Sequence, residues 1–261
     1  PFAVGTRGVI RLAPLPPSSL WRQRFPQGGF SIAADGNGFL RDPDPATLDL
    51  LEAWARLDGA AREGSAGTSA LAGLVAGAAP PVAAGALRRM NEIPGLEVRL
   101  SSEGAGKLAA ALEDPARPDP LRRGILALAG TRRLQGLRPT VERRASRGDP
   151  LEAPALDALR GLAGALPQAR VRALLGRPEP EVRAAGARGA QGGTLDGLVP
   201  LVTGDPAPEV RVAAVEVLLA ERGQGAFEST SVALFDPDLT VRAGAAKAPA
   251  ALGPDAGAAP H

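Results

Sequence analysis

The chain has 261 residues, of which 33 are glycine, 26 are proline and none is cysteine, and its formal net charge at pH 7 is +2. Without cysteine, neither a disulfide nor a thiolate metal site can form, and no apolar run reaches the roughly 18 residues that a membrane span needs. The apolar fraction of 44% is typical of a folded protein, and the frequent glycine and proline predict short helices. We expect a cytoplasmic protein, or a periplasmic one if the chain is a processed product.

Charge is distributed unevenly along the chain. Residues 1–116 are nearly neutral, with 11 basic and 12 acidic side chains, whereas residues 117–188 contain 15 basic and 7 acidic ones. Residues 189–261 contain 4 basic and 9 acidic side chains. The basic band at 117–188 therefore predicts a partner with an acidic surface.

Residues 1–41 differ from the rest because they are rich in aromatic residues and lack helical periodicity. Six of the eight aromatic residues lie in the first 54 positions. The runs at 8–12 and 30–33 are typical of short strands, and Asp-Gly-Asn-Gly at 35–38 is a turn signal. We predict an irregular or β-like N-terminal arm or cap, whose aromatic side chains are buried against another surface.

Helical patterning begins at 42–45, where aspartate twice precedes proline, a typical helix start. Trp54 is predicted to anchor this first helix in the core. Further helices are predicted around 71–75, at 82–90 and at 107–113, with a short strand or loop between 92 and 102. We interpret residues 42–118 as degenerate helical repeats.

From residue 119 onward a motif of the form Asp-Pro-x-x-x-Val-Arg recurs. The fullest copies place the Val-Arg pair at Val182 and Arg183, Val210 and Arg211, and Val241 and Arg242. Weaker copies place Arg122 and Glu152 at the arginine position, so the spacings are 30, 31, 28 and 31 residues. A period near thirty residues fits two helices with their turn and loop.

The predicted fold class is therefore all-α, an α-solenoid of stacked helix pairs. Residues 119–248 are its regular repeats, with second helices at 137–145, 168–175, 195–202 and 227–235, and residues 249–261 are an Ala/Gly/Pro tail. The motif resembles HEAT repeats, in particular the short bacterial type also found in phycobilin lyases. The resemblance covers 119–248 well and 42–118 loosely. It implies that each repeated arginine pairs with an acidic residue or helix end of the adjacent repeat, and that Val182, Val210 and Val241 are structural.

Two groups of side chains are candidate partner-binding residues, one in the basic band and one in the arm. The candidates are Arg122, Arg123, Arg132, Arg133, Arg138, Arg143, Arg144 and Arg147, and Trp21, Phe25 and Phe30. Binding to nucleic acid would need several of these arginines on one face. No aromatic residue lies in 55–226, so base stacking there is not expected.

No catalytic constellation, metal site or cofactor site is predicted. His261 is the single histidine, which excludes a Ser-His-Asp triad with a central histidine in the helical part. Our first hypothesis is a non-enzymatic scaffold or protein-interaction subunit of a larger assembly, which binds its partner through the solenoid surface and the N-terminal arm. The alternatives are nucleic-acid binding through the band at 117–188 and, from the resemblance alone, a bilin lyase-like subunit.

Overall fold

The fold class is all-α, as predicted. The computed structural model describes residues 8–10, 12–14, 30–32 and 39–41, and then residues 44–251. The chain divides into two compact units between Leu121 and Arg122. Helices joined by short turns and loops make up residues 44–251, and four strands of three residues precede them.

The strands pair in two antiparallel ladders. They are β1 (Gly8–Ile10), β2 (Leu12–Pro14), β3 (Phe30–Ile32) and β4 (Phe39–Arg41). β1 pairs with β4 and β2 with β3, so the strands on either side of the predicted turn at 35–38 do not pair with each other. That turn, Trp21 and Phe25 lie outside the described residues.

The first unit is organised around a helix that is buried on most sides. Its helices are α1 (Pro45–Ala55), α2 (Gly59–Glu63), α3 (Ser65–Gly77), α4 (Pro80–Glu92), α5 (Leu96–Arg99) and α6 (Ser102–Glu113). Leu71, Leu74 and Val75 of α3 are buried, and α3 contacts α1, α2, α4 and α6. The first helix, α1, starts at 44–45 as predicted, where the Asp44 carboxylate accepts the Thr47 N–H at 2.8 Å, a typical N-cap.

The second unit contains the copies of the Val-Arg motif. Its α-helices are α7 (Asp119–Thr131), which begins before the boundary, α8 (Arg138–Arg144), α9 (Glu152–Ala163), α10 (Gln168–Leu175), α11 (Pro180–Arg188), α12 (Leu201–Gly204), α13 (Pro208–Arg222), α14 (Phe227–Thr230) and α15 (Leu239–Ala251). Four 3₁₀ helices span Gln135–Leu137, Gly192–Leu198, Gly223–Ala226 and Ser231–Phe235.

The motif-bearing helices contact one another in chain order. α9 packs on α11, α11 on α13 and α13 on α15. Each of these helices also packs on the element that directly precedes it in the chain. This element is α8 for α9, α10 for α11, α12 for α13 and the 3₁₀ helix Ser231–Phe235 for α15. Val182, Val210 and Val241 are buried on the packed side of the motif helices. Removing these apolar side chains from water stabilises the contacts between the helices.

Two expectations about local structure were wrong. Residues 92–102 hold the end of α4, α5 and the start of α6 instead of a strand or loop, because Gly95 adopts φ +64° and turns the chain into α5. Of the predicted second helices, 168–175 has the expected bounds, and 137–145 is confirmed to within one residue at each end. The one at 195–202 is largely 3₁₀, since glycine and Pro200 interrupt regular helix there. The one at 227–235 is a single α-helical turn followed by a 3₁₀ helix.

Candidate functional site

Each repeated arginine first binds the turn that begins its own helix. Nη1 of Arg183, Arg211 and Arg242 donates to the carbonyl oxygens five and six residues earlier, at distances between 2.6 and 3.3 Å. These carbonyls belong to the turn before the helix, where they have no intrahelical partner. The contact therefore fixes the guanidinium of all three arginines in the same place relative to their helices.

The other edge of the guanidinium binds the next repeat. Nε and Nη2 of Arg183 donate to the Asp205 carboxylate at 2.9 and 2.8 Å, and those of Arg211 donate to the Asp236 carboxylate at 2.8 Å each. Both aspartates are buried and begin the following Asp-Pro turn. Such paired, charge-assisted hydrogen bonds are both strong and geometrically specific. We call these contacts the inter-repeat ion pairs.

An inter-repeat ion pair with reversed charges joins the preceding two repeats. Glu152 stands at the arginine position, and Arg177, six residues before Arg183, stands where later copies have aspartate. Arg177 contacts the buried Glu152 carboxylate at 3.4 and 3.5 Å. Arg177 also donates to Glu179 at 3.1 Å, so its charge is shared. This ion pair is looser than the other two, but it joins the same positions.

The guanidinium groups lower the pKa values of their aspartates. Hydrogen bonds from Arg211 are the main reason that the pKa of Asp236 lies below its ordinary value, and burial opposes them. For Asp205 burial is the largest single influence and raises the pKa. Hydrogen bonds from Arg183 and the Ala207 N–H, with attraction to both arginines, outweigh burial and leave that pKa lowered. Both carboxylates are therefore held as charged acceptors.

The structure separates the eight arginines that the sequence grouped as candidate partner-binding residues. Arg123, Arg133, Arg138, Arg143 and Arg147 are exposed, and Arg122 and Arg132 are half-buried. Arg144 does not fit the prediction of a partner-binding residue, because it is 4% exposed and donates to Asp149 at 2.5 Å. A buried, paired guanidinium cannot reach a partner, so Arg144 belongs to the interior of the second unit.

One groove in the second unit combines exposed arginine with a floor of small residues. It has a volume of about 580 Å³ and lies along α7, α9 and α11. Arg123, Arg160 and Arg188 line it together with one carboxylate, that of Asp157. The smallest residues of the floor are Ala127, Gly130, Ala158 and Gly161. Among the eight arginine candidates, Arg123 is the one that lines this groove.

Two glycines in the lining let α7 and α9 approach closely. A Cβ atom on Gly161 would lie 2.6 Å from the Gly130 carbonyl oxygen, and one on Gly130 would lie 2.9 Å from the Ala158 Cα atom. Neither backbone has room for these atoms. The close crossing puts peptide backbone, without large side chains, at the bottom of the groove.

The three arginines of the groove differ in how free they are. Arg188 donates to the Asp157 carboxylate at 2.8 and 2.6 Å, and Arg123 donates one hydrogen bond to the Pro150 carbonyl at 2.8 Å. Arg160 is exposed and forms no ion pair within residues 44–251. Sequence reasoning did not single out Arg160 or Arg188, although both lie in the basic band, because their meeting with Arg123 depends on how the helices cross.

Trp54 is half-buried and not a core anchor. It lines a groove of about 400 Å³ with Leu51, Leu71 and Leu74 in the first unit. The Arg62 guanidinium lies 5.8 Å from the centre of its ring, within the range of a cation–π contact. Of the aromatic candidates in the arm, Phe30 lies in β3, and Trp21 and Phe25 fall outside the described residues.

No protein-family model, curated protein or solved structure matches the chain. In the part that the structure describes, no helix has both the length and the apolar character to cross a membrane. Within the same residues, no three acidic or histidine side chains come together in a way that could hold a metal ion. The groove along α7, α9 and α11 is the candidate functional site.

Proposed function

We propose that the chain is a non-enzymatic scaffold, a HEAT-like α-solenoid of stacked helix pairs, that binds an acidic segment of a partner protein in the groove along α7, α9 and α11. The consecutive contacts of α9, α11, α13 and α15 support the solenoid architecture. The inter-repeat ion pairs support it as well, because they join equivalent positions of successive repeats.

The observation that carries the binding proposal is the meeting of three arginines around one carboxylate in the groove. Among the residues that the structure describes, no partner occupies the Arg160 guanidinium, and Arg123 donates one hydrogen bond. A guanidinium binds carboxylates with two parallel hydrogen bonds. The floor of glycine and alanine lets the main chain of an acidic peptide approach closely, so that its side chains reach the arginines.

The lining also argues for a protein partner over nucleic acid. Among the residues that line the groove none is aromatic, and binding of single strands normally uses base stacking on aromatic rings. The charge of Arg188 is largely neutralised by Asp157. The groove therefore offers few free cations, whereas tight phosphate binding needs several.

The proposal is tested by titrating the full chain against a labelled acidic peptide and a labelled single-stranded oligonucleotide, with fluorescence anisotropy as the readout. We expect Arg160→Glu to weaken peptide binding about tenfold or more, since it replaces an attraction by a repulsion. Arg172→Glu is the matched control, because Arg172 is an exposed arginine on α10 away from the groove. Equal losses in both variants, or tighter binding of the oligonucleotide than of the peptide, would contradict the proposal.

A further inference from the structure

The third repeated arginine, Arg242, has a guanidinium edge, formed by Nε and Nη2, that contacts no carboxylate within residues 44–251. Arg242 binds the Asp236 and Pro237 carbonyls through Nη1 at 2.6 and 2.9 Å, as Arg183 and Arg211 bind theirs. Its Nε–Nη2 edge, which holds an aspartate of the next repeat in the other two, has no carboxylate partner among residues 44–251. The guanidinium is thus positioned for a carboxylate that the described part of the chain does not supply.

Exposed apolar side chains precede Arg242 in the chain. Phe235 is 87% exposed and Leu239 is 69% exposed, and Phe227 and Val232 are about half exposed. Phe235 directly precedes the turn that Arg242 binds, and Leu239 lies three residues before Arg242 on α15, on the same helical face. In the two earlier motif copies, Val182 and Val210 are buried and their helices pack on the next motif helix. Large exposed apolar patches on soluble proteins mark interaction sites.

We infer that this surface, defined by Phe235, Leu239 and Arg242, binds a helix of a partner protein whose N-terminal turn carries an aspartate. The apolar face of that helix would cover Phe235 and Leu239, and its aspartate would accept both hydrogen bonds of the open Arg242 edge. The chemistry of the occupant follows from the two earlier repeats, where the same arginine edge takes the aspartate that begins a following helix.

This surface is distinct from the arginine groove and follows a different recognition rule. The groove offers charge over a floor of small residues, whereas the second surface offers apolar contact with one oriented guanidinium. Around Arg242 the chain is acidic, with Asp236, Asp238 and Glu228 nearby in sequence. A generally acidic peptide would therefore be repelled, and a single well-placed aspartate is favoured over a run of them.

The chain itself provides the probe. A labelled peptide of residues 205–222 contains an Asp-Pro turn followed by an amphipathic helix, and its Asp205→Asn form removes the carboxylate charge without changing shape. We expect the full-length protein to bind the first peptide, and titration should extend to about 1 mM because isolated helices of this length are marginal in water. The Asp205→Asn peptide should bind about tenfold more weakly.

Protein variants complete the test. Arg242→Ala should weaken the wild-type peptide about tenfold and leave the Asp205→Asn peptide almost unaffected, since both changes remove the same contact. Arg172→Ala should change neither affinity. The Arg123→Glu and Arg160→Glu double variant separates this surface from the groove. A loss of affinity that depends on this double variant and not on Arg242→Ala would place the peptide in the groove and overturn the inference.

Absence of binding, or binding that ignores both Asp205 and Arg242, would overturn the inference. Analytical ultracentrifugation of the protein alone measures its oligomeric state. Self-association that Arg242→Ala abolishes would assign the surface to a second copy of this chain, and would also overturn it.

Discussion

Arg183, Arg211 and Arg242 have the same side-chain position but unequal surroundings, and this makes them a natural set for comparison. Arg211 is 8% exposed and its carboxylate partner Asp236 is also 8% exposed. Removing one member of a buried ion pair leaves the other charge desolvated and without compensation, which costs more than the pair contributes. Within residues 44–251, the side-chain hydrogen bonds that Arg242→Ala would remove are those to two carbonyls.

We therefore predict that Arg211→Ala lowers the free energy of unfolding by about 3 kcal/mol and Arg242→Ala by about 1 kcal/mol. Urea denaturation followed by circular dichroism measures both. If both variants lose a similar free energy of unfolding, the ion pair of Arg211 with Asp236 contributes nothing beyond the hydrogen bonds of Arg211 to its own turn.

The lowered pKa of Asp236 gives the ion pair a defined pH dependence. A carboxyl group whose pKa is lower in the folded than in the unfolded state stabilises the fold above its unfolded pKa, and this contribution is lost as the pH falls. Wild type should thus be more stable than Asp236→Asn at pH 7, and the difference should shrink below about pH 4, where the unfolded aspartate takes up its proton. Thermal unfolding across this range tests it, and a difference that is constant with pH would exclude the ion pair as its source.

At the scale of elements, the crossing of α7 and α9 determines whether the groove exists. We predict that Gly161→Ala destabilises the protein by about 2 kcal/mol, because the new methyl group meets the Gly130 backbone, which cannot move aside. Gly106→Ala is the matched control, since Gly106 lies inside α6 with open space around it. That change should stabilise the protein by up to about 1 kcal/mol through helix propensity. Differential scanning calorimetry of the pair tests the crossing, and equal effects would contradict it.

The motif helices and the helix at Gln168–Leu175 were predictable, whereas the elements that follow α11 and α13 were not. Proline at the first helical turn and apolar residues at helical spacing define α11 and α13. Between them, Gly192, Gly197 and Pro200 leave only weak local preferences, and packing on the motif helices selects 3₁₀ turns that no periodicity signals. The strand expectation at 92–102 failed because alternation over a few residues also fits one helical turn, with Leu96 buried and Val98 exposed.

The candidate site was predictable only in part, for a related reason. The basic band at 117–188 located the groove along the chain, but Arg144 turned out to be buried while Arg160 and Arg188 line the groove. Which arginines face outward depends on helix packing, which a single sequence does not reveal. The reversed pair is visible in the sequence. Glu152 stands at the arginine position of one motif copy, and Arg177 stands at the aspartate position of the next copy.

At the scale of the whole molecule, the reversed pair distinguishes one junction between repeats from the others. A helix carrying Arg183 or Arg211 placed against Arg177 would bring like charges together, which disfavours misaligned stacking. We predict that Glu152→Arg alone lowers the free energy of unfolding by about 3 kcal/mol. Adding Arg177→Asp should restore most of this loss, because it recreates the pattern of the later repeats. A double-mutant cycle in urea denaturation measures the coupling, and a double variant no more stable than Glu152→Arg would contradict the prediction.

The central claim is that the groove along α7, α9 and α11 binds an acidic segment of a partner protein through its arginines. The most direct test reverses the charge on both sides and measures peptide affinities by fluorescence anisotropy. Wild type should prefer an acidic peptide over its lysine-substituted counterpart, and the Arg123→Glu and Arg160→Glu double variant should prefer the lysine-substituted peptide. If the double variant keeps the wild-type preference, the groove is not the binding site.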